Sequence, residues 1–127
     1  MGRRSRRRDR DAPDAPSAPD AEYTDAEGNV LVLRGSLSAR SRREYTRVLA
    51  GEGRVSGAEA AREDAWQRAI EFLFEHLAAR WTIAGLPLER QDQLLGRYRM
   101  ANAAERAWVR DVLREHVTAH FPELQAP

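Results

Sequence analysis

Between Glu22 and Arg34, two short runs with strand periodicity, Glu22-Tyr-Thr-Asp25 and Asn29-Val-Leu-Val-Leu-Arg34, flank Ala26-Glu-Gly28. Gly28 and Asn29 supply the positive-φ chemistry that a tight reversal needs, so the pattern predicts a β-hairpin over 22–34. Val30 and Val32 point to one face of the second strand and Leu31 and Leu33 to the other. A two-stranded ribbon that is apolar on both faces cannot stand alone in water and must lie against helices or a second chain.

After Gly35 the period lengthens to that of a helix. Ser36-Leu-Ser38 offers an N-cap, and Leu37, Tyr45, Val48 and Leu49 mark the buried side of a helix that runs to about Ala50 and ends at Gly51. Ser56 and Glu59 have the capping-box spacing, and Gly85 with Pro87 forms a stop signal, which predicts one helix of about 28 residues between them. At 100° per residue, Trp66, Ile70, Leu73, Phe74, Leu77, Trp81 and Ala84 fall within an arc of about 100°, the width of a core-facing stripe. Opposite them, Ala61, Ala65, Phe72, Ala79 and Ile83 make a second apolar seam. A helix apolar on two sides is either central or shared with a partner.

Leu88, Leu94, Leu95 and Tyr98 mark a third, shorter helix. Asn102 and Glu105 then cap a last one, with Trp108, Val109, Val112, Leu113, Val117 and Phe121 on one side and Pro122 closing it. The expected fold is mainly α: a small bundle of about four helices with an N-terminal β-hairpin, filling residues 22–124.

Charge divides the chain further. Residues 1–10 hold six Arg and one Asp, whereas residues 11–29 hold six acids and no base. Both stretches are poor in large apolar groups before Tyr23, so residues 1–21 are expected to be disordered, an Arg-rich arm followed by an Asp/Ala/Pro linker. In that linker, Asp11-Ala-Pro-Asp14-Ala-Pro-Ser17-Ala-Pro places proline at every third position, a polyproline II spacer. The absence of cysteine excludes a disulfide scaffold, thiol catalysis and a Cys-based zinc site. No run approaches the ~18 apolar residues of a membrane span, and no apolar stretch follows the basic start, so a cytoplasmic protein without membrane contact is expected.

Candidate chemistry is sparse. His116 and His120 share a helical face at metal-ligand spacing, but the metalloprotease pattern needs Glu directly after the first His, and Val117 stands there. Gly51-Glu-Gly53-Arg-Val-Ser-Gly57 has the glycines of a phosphate loop without the βαβ context or the lysine. Glu59, Glu63, Asp64, Glu71 and Glu75 interleave with Arg62 and Arg68 as on a solvated helix face. The expectation is a non-enzymatic protein with no cofactor and no metal. Basic rows on the first helix (Arg40, Arg43, Arg47) and the last (Arg106, Arg110, Arg114) offer the alternative, a nucleic-acid-binding accessory protein that also uses the arm.

The arrangement of Gly28-Asn-Val-Leu-Val-Leu-Arg34-Gly, the Leu37-Ser38 helix start, the Trp66 to Trp81 stripe and the Arg80-Trp-Thr-Ile-Ala-Gly-Leu-Pro87 turn resembles small tail assembly chaperones of long-tailed bacteriophages and prophages. The resemblance spans residues 22 to about 124 and implies a non-catalytic protein that coats the hydrophobic helices of a tape measure protein. The partner that the resemblance implies is thus helical and hydrophobic; the second seam and the unpaired edges of the hairpin point separately to a protein partner, bound by helix-in-groove contact or strand addition, with Phe72, Ile83, Leu86 and Leu88 at the contact.

Overall fold

The computed structural model describes residues 18–51 and 58–127. Its elements are β1 (Ala21–Thr24), β2 (Val30–Leu33), α1 (Ala39–Leu49), α2 (Ala58–Leu77), β3 (Ala78–Ile83), β4 (Leu86–Leu88), α3 (Gln91–Arg99) and α4 (Ala103–His120). The four strands form one antiparallel sheet in the order β1-β2-β3-β4, so the fold is α+β and not the mainly helical bundle expected from periodicity. The Arg-rich arm through Ser17, the glycines at 53 and 57, and Ser56 of the expected capping box lie outside the described residues.

The difference arises at Leu77, where α2 ends and the chain continues directly as β3. Trp81 stands four residues after Leu77, a spacing that continues a helical stripe. In the strand it points to the same core, because Trp81 faces inward while Arg80 and Thr82 face outward, the alternation of a pleated strand. The β-branched pair Thr82-Ile83 and the reversal at Ala84-Gly85 favour the strand. Strand pairing also answers the two-faced apolarity of β2. That strand is internal, paired with β1 through Tyr23↔Leu31 and with β3 through Leu31↔Trp81. Leu31 and Leu33 are fully buried, and Val32 on the other face is 6% exposed, flanked across the ladder by Glu22 and Arg80.

On the inner face of the sheet, Leu31, Leu33 and Trp81 join one core with Ile70, Leu73, Phe74 and Leu77 of α2, Leu94 and Tyr98 of α3, and Val109, Leu113 and Val117 of α4. Burying these side chains supplies the main driving force, about 1.5–3 kcal/mol for each large one. The helix starts follow the local signals. Ser38 accepts the Ser41 N–H at the head of α1, and Asn102 and Glu105 complete a reciprocal capping box at α4. Phe121 closes α4 inside the core, and the following segment folds back over α1, where the Tyr45 hydroxyl donates to the Gln125 carbonyl at 2.6 Å. Burial pushes the Tyr45 phenol up to about 12, so it remains a donor throughout the physiological range.

Candidate functional site

Three sets of side chains stand out: the tip of the β3–β4 hairpin, a buried histidine between sheet and helix, and the outer face of α1.

At the tip, β3 and β4 are joined by the two-residue loop Ala84-Gly85, whose φ angles of 51° and 80° are the doubly positive pair of a type I′ reversal. Glycine takes this conformation readily, whereas for alanine it costs about 1–2 kcal/mol. The Ala84 N–H is held by the side-chain oxygen of Asn29 at 3.0 Å. Asn29 is itself fixed from the other side: its backbone N–H and its Nδ2 both donate to the Asp25 carboxylate, at 2.9 and 3.0 Å. A nearly buried asparagine thus bolts the β1–β2 turn to the β3–β4 turn across 55 residues of sequence. Asn29→Ala is expected to lower the unfolding free energy by about 1–2 kcal/mol. A urea midpoint checks this, and the Ala84 amide should exchange faster in the variant.

The bolted turn presents Leu86, which is 71% exposed. Ile83 faces Leu86 in the register and Leu88 faces Trp81, both half-buried against the core. Pro87 faces Thr82 at the position between the hydrogen-bonded pairs, where a backbone N–H would point to the open edge. Proline has none, so this edge is blunted against strand addition.

The second set centres on His116, which is fully buried. The Tyr23 hydroxyl donates to its Nδ1 at 2.8 Å, and its Nε2 N–H donates to the Arg34 carbonyl at 2.7 Å, the assignment that satisfies all three groups. Burial, with the neighbouring His120 adding to it, pushes the His116 imidazole below its ordinary value; the Arg34 carbonyl and Asp20 oppose the shift without reversing it. The Tyr23 phenol is raised by burial and by Glu115. The His120 ring lies tilted beside that of His116, with 4.2 Å between their centroids, and both His116 nitrogens are engaged within the fold. Among the described residues no group of three or more His, Cys, Asp or Glu could hold a metal ion.

On α1, Arg40, Arg43 and Arg47 are exposed, whereas the row on α4 is engaged within the molecule. Arg106 donates to the Arg99 carbonyl, Arg110 lies over the Trp66 ring at 5.2 Å, and Arg114 donates to the Pro127 carbonyl while approaching Asp111. An open groove of about 820 Å³ runs between α1, α2 and the C-terminal segment, lined by Tyr45, Leu49, Trp66 and Glu63 among others.

The four residues expected to contact a partner separate. Phe72 sits on α2, half-buried against the core, stacked on His76 at 4.0 Å and 6.4 Å from Tyr45. Ile83 belongs to β3, so the second seam is not a single surface, and Ala65 within it is itself core. The structure instead brings Ile83, Leu86 and Leu88 together on one hairpin. The Asn29 bolt is not visible from local sequence, because its partner lies in the other hairpin. No helix among the described residues is long and apolar enough to cross a membrane. The chain matches no family model, no curated protein and no solved structure.

Proposed function

We propose that the chain is a non-enzymatic protein-interaction module that works in the cytoplasm and receives an apolar helix of its partner on the β3–β4 hairpin tip. One observation carries the reading: Leu86 is left largely exposed at the end of a reversal that contains a positive-φ alanine and is held by a nearly buried asparagine. Strained backbone held in place by its surroundings is a mark of a preorganised binding element, and a large apolar side chain fixed on such an element is a ready anchor. The Pro87 edge favours a partner that packs side chain against side chain, as a helix does, over one that adds a strand.

The resemblance to tail assembly chaperones supplies the kind of partner, the hydrophobic helices of a tape measure protein. Within that proposal, Leu86 leads and Ile83 and Leu88 form the partly covered flank, while Phe72 supports the core beneath α2. Titration of isotopically labelled protein with a leucine-rich amphipathic helical peptide tests it by NMR. Shifts should concentrate at residues 84–88 and vanish in Leu86→Asp, a variant whose stability should change by less than about 0.5 kcal/mol because the side chain is at the surface. Shifts centred elsewhere, or undiminished in the variant, would refute the proposal.

A further inference from the structure

Helix α1 contains four arginines and one glutamate within eleven residues, and its first turn contains no acid. At 100° per residue, Arg40, Arg43 and Arg47 fall within an arc of about 60° directly opposite the buried Tyr45, and along the axis they span about 10 Å. All three are exposed. Arg47 lies 3.7 Å from Glu44, while Arg40 and Arg43 have no acidic partner among the described residues. Beside them, Arg43 and Arg47 border a shallow concavity of about 420 Å³ that includes Leu124.

The described chain begins beside the N-terminal end of α1. The Ala18 N–H donates to Ser36 Oγ at 3.1 Å, two residues before the N-cap of α1. The backbone there is so close that a Cβ on Gly35 would run into the Pro19 carbonyl oxygen. The acids of the β1–β2 turn lie away from this end. Asp25 and Glu27 belong to the turn at the far end of the hairpin, where the Asp25 carboxylate is occupied by Asn29 and by the Glu27 N–H.

We infer that the outer face of α1 is a polyanion-binding surface that grips the phosphodiester backbone of a nucleic acid through Arg40, Arg43 and Arg47. Guanidiniums suit phosphate oxygens, since the planar fork can donate two parallel hydrogen bonds and keeps its charge at any physiological pH. The contact reads charge and spacing, not sequence, so binding is non-specific and steeply salt-dependent. It is separate from the hairpin tip, and neither proposal depends on the other.

The test is fluorescence anisotropy of the full chain with a labelled 24-base-pair duplex across 50–200 mM salt. Three variant sets are compared: R40Q/R43Q/R47Q, R68Q/R90Q/R99Q with the same change in net charge, and wild type. Removing three phosphate contacts should flatten the log–log salt slope by about 2.7, so that wild type loses about 40-fold more affinity than the α1 triple variant over that range. The control triple variant should retain a slope near that of wild type, and circular dichroism should be unchanged in both. Equal losses in the two triple variants would reduce the effect to net charge and overturn the inference. So would a wild-type protein that binds vesicles containing phosphatidylserine but not the duplex, or one that binds neither.

Discussion

Trp81→Ala should cost about 3–5 kcal/mol of stability, the range for deleting a buried tryptophan. Trp81 is 2% exposed in the middle of β3, where its ring meets Phe74 edge-on at 5.7 Å and Arg97 lies over it at 5.4 Å. Leu31 and Leu88 flank it across the two ladders. It therefore joins three strands to α2 and α3, and truncation would open a cavity that none of them can close alone. Small domains hold only about 5–15 kcal/mol in total, so the melting temperature should fall by roughly 15–30 °C. Trp81→Phe should cost much less. Among the described residues the indole N–H has no hydrogen-bond partner, and phenylalanine keeps most of the ring while removing that buried donor. Urea unfolding of both variants checks the pair, and a loss below about 1 kcal/mol for the alanine variant would contradict the placement of Trp81 in the core.

His116→Leu should be nearly as damaging and should also change how stability responds to pH. The substitution strands the Tyr23 hydroxyl and the Arg34 carbonyl, at about 1–3 kcal/mol for a buried group left without its partner. The pH effect follows from the lowered folded-state value. Between that value and the ordinary histidine value of about 6.5, the unfolded chain binds a proton that the folded chain does not. His116 therefore leaves stability intact above pH 6.5 and withdraws it as the pH falls towards its folded value. The slope is at most about 1.4 kcal/mol per pH unit. Urea midpoints at pH 7.5 and 5.5 should separate more widely for wild type than for His116→Leu, because the variant lacks this group. Equal separations would mean that His116 takes up its proton as easily folded as unfolded.

What the sequence discloses is governed by distance along the chain. The β1–β2 hairpin, the Ser38 cap, the stop at Gly51 and the Asn102–Glu105 box all depend on contacts within a few residues, and each stands in the structure within about a residue of its expected place. The error at residues 78–83 has a physical origin, since Leu77 and Trp81 satisfy the helical and the strand period alike. The unresolved demand was in β2, whose two apolar faces required more cover than one hairpin partner could give. Of the candidate site, Leu86 was legible as an apolar residue beside a turn. Its clamp was not, because Asn29 and Ala84 meet only when the sheet has assembled. The basic row of α4 looked equivalent to that of α1 until tertiary contacts occupied it.

Pairing β2 with β3 joins Leu33 to Ala78, with α1 and α2 lying wholly in the intervening chain. Closing a loop of that length costs roughly 3 kcal/mol of chain entropy beyond the constant term, and nothing local repays it. Each hairpin can zip within microseconds, but their union must await the docking of the two intervening helices. During synthesis the first hairpin would therefore leave the ribosome with β2 unprotected on one side, and the sheet would become whole only after residue 88 had emerged.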